Sequence, residues 1–422
     1  MNFFKKNKRA IVVNIIFIII FFWITEIALT FIKYEPTYIE RGKLKNVLKK
    51  YNEISNNKNI NIKKFINKGI MPTLYPASTY LIPSFRKFSD LTNFKPLGSQ
   101  PNKKLYLCDE GYGFITYTTD HLGFRNKNED WNEYPYNALI IGDSIVHGSC
   151  VRDENTISGN LKKIGVPNIN LGQGDHQPLI YGSTIAQFSM PEVPRNIILV
   201  FTLHNDFMGG NEFENYINVN KEKPGYVYST DDKKHILSTE GKKYFKLVNN
   251  DIEKIIKSEK YYQNLSYFSS NKHFDIYSLI KLTKVRQILK IYLGINIKKN
   301  LICYKTKCIF GSLDSHAEKN IKNAIRDINL LLDTCNKKSN CNPIVVLVSH
   351  NEYWDYNPDY KIYKEIFNKK IKMIQNEKFN FSYIDSSELI NTKDLNNYAP
   401  AGGHMSNDGY KKLAILIKKH VK

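Results

Sequence analysis

The chain is short of acid. Its 422 residues carry 61 Lys and Arg against 40 Asp and Glu, a formal net charge of +21. The lysines are scattered among Asn and Ile instead of forming one long basic block, and no nucleic-acid motif accompanies them. The excess therefore reads as a solvated surface, with no nucleic-acid partner. Several catalytic signatures are missing as well. There is no H-E-x-x-H, no phosphate-binding loop and no complete G-x-G-x-x-G, of which Gly172-Gln173-Gly174 is only a fragment. His147, His176, His204 and His350 have no metal-ligand spacing and read as structural or surface residues. No metal and no cofactor is expected. No repeat with a period of about 20–50 residues is present, which excludes a solenoid.

What is present begins with one long apolar run. Residues 10–32, AIVVNIIFIIIFFWITEIALTFI, are interrupted only by Asn14 and Glu26. Such a run is long enough to cross a hydrocarbon layer of roughly 30 Å. Glu26 lies near the far end, where a carboxylate reaches the interface. No A-x-A-like cleavage site follows, so an uncleaved signal anchor is expected rather than a removed signal peptide. Lys5, Lys6, Lys8 and Arg9 place residues 1–9 on the cytoplasmic side. The rest of the chain is then extracytoplasmic. The six cysteines fit such a compartment as local disulfides, with 303–308 and 335–341 preferred and 108–150 third.

Beyond the anchor, residues 33–133 read as a juxtamembrane stalk followed by an irregular accessory segment. From about residue 134 the pattern becomes regular. NALIIGDS, VPNINLGQG, RNIILVFTLHND, NPIVVLVSH and KFNFSYIDSS are short apolar runs ending in turns. Helical segments alternate with them, including 317–335 with Ile321, Ile325, Ile328 and Leu332 on one stripe, and 406–421 at the end. Uninterrupted apolar strands alternating with helices point to a parallel sheet covered on both faces, an α/β three-layer sandwich over 134–422. Residues 207–315 are polar and read as a large insertion.

In doubly wound folds, sites lie beyond the carboxyl ends of the strands. Three strands here end in Ser144, Gly172 and Asn205, and His404 precedes the last helix. Singly these are an N-cap, a turn glycine, a turn asparagine and a loop histidine. Jointly they have a chemical meaning. Ser144 is a nucleophile, His404 a base, and three N–H groups converge on a developing oxyanion: the Ser144 backbone, the Gly172 backbone and the Asn205 side chain. The nucleophile is not a G-x-S-x-G elbow, because Val146 stands two residues after Ser144.

Gly142-Asp143-Ser144, the glycine of the second block, Asn205-Asp206 and the late His404 resemble the four blocks of the SGNH (GDSL-type) hydrolase superfamily. The likeness covers roughly 134–210 and 340–422. It is greatest to membrane-anchored bacterial members with a D-x-x-G-F-R segment before the first strand, here Asp120, Gly123, Phe124 and Arg125. The resemblance implies a flavodoxin-like sheet, Ser144 as nucleophile, His404 as base, and Ser144, Gly172 and Asn205 as the oxyanion hole. Two features depart from the family pattern. Leu203 replaces the usual glycine of the third block, and Ala401 stands where an aspartate would orient the histidine. Asp385, after the last strand, is the candidate substitute, and a backbone carbonyl, giving a Ser–His dyad, is the alternative. The expected function is a membrane-anchored serine esterase or O-acyl (acetyl) transferase acting on acylated glycans or lipids. The competing reading, motivated by the absent aspartate and the large, aromatic-rich insertion, is a non-catalytic glycan-binding or envelope polysaccharide assembly factor.

Overall fold

The computed structural model describes residues 8–31, 65, 67–76, 83–92, 94–132, 136–189, 192–203, 206–207, 225–229, 235–257, 295–298, 301–304, 307–308, 315–337, 340–349, 359–377, 381–400 and 402–422. The chain divides into two compact units. One comprises residues 1–40 and 263–312, the other 41–262 and 313–422. The first contains a helix over Lys8–Phe31 and a small antiparallel sheet of Ile295–Lys298, Leu301–Tyr304 and Lys307–Cys308. In that sheet Cys303 stands opposite Cys308. Side chains 8–13, 15 and 29–31 of the helix lie outside the described residues. Over the described ones, no helix is long and apolar enough to cross a membrane.

The second unit is built on a five-stranded sheet. Its strands are β1 (Ala138–Ile141), β2 (Asn168–Asn170), β3 (Asn196–Thr202), β4 (Asn342–Val348) and β5 (Ser382–Asp385). They lie in the order 2-1-3-4-5 and every pairing is parallel. Parallel strands need crossovers, and helices supply them. These are α1 (Ser144–His147), α2 (Ile157–Lys163), α3 (Ile180–Phe188), α4 (Ser315–Asn336) and α5 (Asp359–Glu377), and α6 (Asn407–Lys418) follows the last strand.

Strand side chains alternate between faces, so one register builds two cores. Ala138, Ile140, Ile198, Val200, Ile344, Val346 and Ile384 pack with Leu161 of α2 and with Tyr410, Leu413 and Ile417 of α6. Leu139, Ile141, Ile197, Leu199, Phe201, Val345 and Leu347 belong to the opposite face and are equally buried. On the α4 stripe Ile321, Ile328 and Leu332 are buried, whereas Ile325 is half-buried. The helix α5 was not expected from the sequence. Its Tyr360, Tyr363, Phe367 and Ile371 are buried along one side, a stripe diluted by the lysines between them.

The accessory segment is not a separate body. A helix over Pro83–Thr92 and a sheet of Met71–Pro72, Lys104–Tyr106 and Thr116–Thr118 lie in the same compact unit as the α/β sheet. The boundary at residue 134 therefore marks a change of sequence pattern and not a gap between domains. Most of the 207–315 stretch lies outside the described residues. Its described parts divide between the two units, with a helix over Thr239–Lys257 in the second.

Candidate active site

The order 2-1-3-4-5 reverses direction between β1 and β3, and the loops leaving those strands are where a crevice opens. After β1 the chain turns through Gly142, where a Cβ would meet Val200 O and Val146. Asp143 caps the short helix α1, accepting from Ile145 N at 2.9 Å. Ser144 is thus the first residue of α1 and not its cap. Because α1 has a single turn, its dipole contributes little. The useful feature is the free first-turn N–H of Ser144, one of the donors that a helix start leaves without an intrahelical partner.

His404 reaches Ser144 from the loop before α6. Its Nε2 lies 3.1 Å from Ser144 Oγ. The other ring nitrogen, Nδ1, lies 2.8 Å from Glu110 Oε1, and the His404 backbone N–H donates to Glu110 Oε2 at 3.2 Å. A carboxylate facing Nδ1 fixes the proton there and leaves Nε2 to accept from the serine. Burial lowers the His404 pKa, but the charge and hydrogen bond of Glu110, joined by the charge of Asp143, outweigh it and hold the pKa above the ordinary histidine value.

The orienting acid is therefore Glu110, not Asp385. The Asp385 carboxylate is held by Lys364 of α5, with Nζ 3.0 Å from Oδ1 and 2.8 Å from Oδ2. It also caps the turn at Ser387. Gly402 makes room for this acid. A Cβ at Gly402 would fall on the Glu110 carboxyl group, so the missing side chain leaves space for a carboxylate supplied by another segment.

Glu110 comes from the tip of the hairpin formed by Lys104–Tyr106 and Thr116–Thr118. Asp109 Oδ1 accepts from Gly111 N at 2.8 Å and Gly113 N at 3.1 Å, closing the tip. Gly111 and Gly113 have φ of 104° and 81°, a region that favours glycine. A disulfide joins Cys108 to Cys150, three residues beyond α1. The second described disulfide, Cys335–Cys341, lies at the end of α4. The side chains of Cys303 and Cys308 lie outside the described residues. Oxygen of Glu110, sulfur of Cys150 and nitrogen of His404 lie within 4.8 Å of one another, but the sulfur is bonded to Cys108 and these three do not form a set of metal ligands.

The D-x-x-G-F-R segment supports the turn that carries Ser144. Asp120 Oδ1 accepts from Leu122 N and Phe124 N, each at 2.9 Å, and Oδ2 accepts from Asn126 Nδ2 and Trp131 Nε1. Gly123, at φ 84°, packs directly on the Ser99 backbone. This rigid turn aims Arg125, whose side chain is 2% exposed. Its guanidinium donates to the carbonyls of His147, Gly148 and Val151 at 3.2, 2.7 and 2.8 Å and pairs with Asp153 at 2.7 Å. A cation thus holds the last carbonyl of the helix that begins at Ser144 and two carbonyls just beyond it.

Gly172 plays a different part from the one expected. Its N–H donates to Asn170 Oδ1 at 2.9 Å, so it is already used. A Cβ there would strike Val146 and the His147 backbone, so glycine allows the β2 loop to press against α1. Asn205 and His204 lie outside the described residues. Asp206 beside them is buried, its Oδ2 accepting from Thr202 N at 2.6 Å and its Oδ1 from Tyr181 Oη at 2.7 Å. Burial, with the nearby Asp143 charge, drives the Asp206 pKa well above the usual carboxylate range.

His147 and His176 are buried. Desolvation holds the His147 pKa well below normal and pushes that of His176 down to about 3, so neither is charged near neutrality. Two contributors carried no motif. Besides Glu110, Tyr75 packs its ring against Gly174 and stands edge-on to His147, with ring centroids 6.2 Å apart. The one signal for Glu110 was Cys108. Pairing it with Cys150 brings residues 108–110 to the neighbourhood of Ser144.

No known family model and no curated protein matches this chain.

Proposed function

We propose that the protein is a serine esterase or O-acyl (acetyl) transferase of the SGNH type, with Ser144 as nucleophile, His404 as general base and Glu110 as the acid that orients it. The observation that carries this reading is the continuous chain Ser144 Oγ–His404 Nε2 at 3.1 Å and His404 Nδ1–Glu110 Oε1 at 2.8 Å. Strand order 2-1-3-4-5, the flavodoxin-like arrangement, is consistent with it.

In the first half-reaction His404 Nε2 takes the Ser144 proton as Oγ attacks the acyl carbon. Glu110 stabilises the imidazolium that forms, and the Ser144 backbone N–H donates to the oxyanion. Collapse returns the proton from Nε2 to the departing alkoxide, leaving an acyl-serine. Water or an acceptor hydroxyl, deprotonated by His404, then releases the acyl group. Asn205 is the remaining candidate oxyanion donor. Gly172 shapes the crevice by allowing close approach.

The non-catalytic reading rested on the absent aspartate and on the large, aromatic-rich insertion; Glu110 against His404 answers the first of these. Location belongs to the proposal too. Residues 10–32 are the anchor, and Cys108–Cys150 and Cys335–Cys341 suit an oxidising, extracytoplasmic compartment. Acylated envelope glycans or lipids are the matching substrate class. Hydrolysis of 4-nitrophenyl acetate and labelling by a fluorophosphonate probe test the reading. Wild type is expected to do both and Ser144→Ala neither. Equal labelling of the two would defeat it.

A further inference from the structure

The acid of this site is attached differently from its nucleophile and base. Ser144 follows a central strand and is held by the sheet core, the Asp143 cap and Arg125. Glu110 sits on a hairpin tip outside the sheet. Among the described residues, the tip meets the rest of the unit through the bonds of Glu110 to His404, the Tyr112 hydroxyl on the Asn407 backbone, the packing of Tyr112 on the sheet core, the ring contact of Phe114 with Phe65, and the Cys108–Cys150 disulfide. Of these only the disulfide is covalent, and it lies in the site itself. Cys108 is two residues before Glu110, the Cα atoms of Cys108 and Cys150 are 5.0 Å apart, and Cys150 sulfur is within 4.8 Å of both the Glu110 oxygen and the His404 nitrogen. Cys150 takes a left-handed backbone conformation, φ 61°, which places this cost beside the site.

We propose that Cys108 and Cys150 are positioning residues for catalysis: their disulfide holds Glu110 against His404, so that opening it lowers turnover while leaving the nucleophile in place. The inference rests on the Ser144–His404–Glu110 reading. Reduction adds two electrons and two protons and gives two thiols, with the reductant, a phosphine or dithiol, oxidised in turn. It breaks no bond in the sheet. Arg125 still grips His147, Gly148 and Val151, so α1 and Ser144 stay where they are. The hairpin tip loses its covalent link, and the entropy of a freed loop works against the Glu110–His404 contact.

The signature of this loss is distinct from general destabilisation. The charged and titratable groups facing His404 are Glu110 and Asp143, with neutral His147 nearby. Removing Glu110 from the set lets the His404 pKa fall, so the acid limb of the rate profile moves to lower pH.

The test uses the full chain in detergent, with 4-nitrophenyl acetate as substrate. Four proteins are compared: wild type, Cys108→Ser/Cys150→Ser, Glu110→Gln, and the triple variant. The disulfide-free protein is expected to lose about a hundredfold in kcat with little change in KM, and to show the displaced acid limb. Adding Glu110→Gln to it should cost less than about tenfold more, because the two changes act through one contact. Phosphine reduction of folded Cys335→Ser/Cys341→Ser protein should reproduce the loss, and covers the case in which the double serine variant does not fold. The proposal is overturned if the disulfide-free or reduced protein turns over within about twofold of wild type. It is also overturned if Glu110→Gln keeps its full penalty without the disulfide. Ser144→Ala run alongside separates the two failures, since activity there would sink the Ser–His–Glu reading itself.

Discussion

The turn that carries Ser144 and the hairpin that carries Glu110 each fix one end of the contact with His404, by different means. Ser144 is placed by packing: β1 is buried, Gly142 fits under Val200 O, and Asp143 and Arg125 fix the two ends of α1. Glu110 is placed by local devices on the edge of the unit. These are an Asp109-closed turn, two positive-φ glycines and a disulfide. The contrast teaches that a histidine can take its carboxylate partner from a segment distant in sequence. What is needed is a second segment to deliver the acid and a glycine, Gly402, to leave the space. It also means that the two halves of the site can be disturbed separately.

Breaking the nucleophile side should have the largest effect. Ser144→Ala is expected to lower kcat for ester hydrolysis by about 10⁴-fold or more, with the unfolding midpoint unchanged. On the acid side, Gly402→Ala pushes a methyl group into the Glu110 carboxyl. We expect kcat to fall by roughly 10–100-fold, since a small misplacement of a catalytic group is enough for that. Urea unfolding should be little altered, which would mark the effect as local.

Arg125 sharpens the comparison, because it comes from the accessory segment yet serves the nucleophile. Arg125→Ala removes the hydrogen bonds to the carbonyls of His147, Gly148 and Val151 and the pair with Asp153. A stability loss of about 3 kcal/mol is expected by denaturant titration. The smallest effect should come from the disulfide remote from the site. Cys335→Ser/Cys341→Ser opens a short loop and should cost about 2 kcal/mol in stability, with kcat unaltered. A comparable loss of activity there would show that disulfides act on this protein only through global stability.

The sheet was legible in the sequence because parallel strands buried on both faces leave uninterrupted apolar runs. ALII, NIILVFT and NPIVVLV are such runs, and each became a strand. Ser144 and His404 were legible because they stand at element ends within short recognisable blocks. Glu110 was not. It lies 294 residues from His404, on a hairpin whose signal is only scattered Asp and Gly. The one thread leading to it was a cysteine whose pairing ranked third. The misplaced role of Asp385 has a specific cause. It sits where a strand-end acid belongs, but the unread helix α5 carries Lys364, which takes it. Gly172 shows a limit of another kind. Its lack of a side chain was visible, whereas the fate of its N–H depended on the Asn170 side chain two residues back.

The central claim is that a carboxylate from outside the sheet completes the Ser144–His404 pair. The pH dependence of kcat/KM for acetyl ester hydrolysis in wild type and Glu110→Gln tests it most directly. His404 must be neutral to act as base, so the rate rises as pH passes through its pKa, which Glu110 holds above the ordinary value. The account predicts that Glu110→Gln has a plateau lower by about 10²–10⁴-fold and an acid limb displaced to lower pH. Superimposable profiles for the two proteins would contradict it.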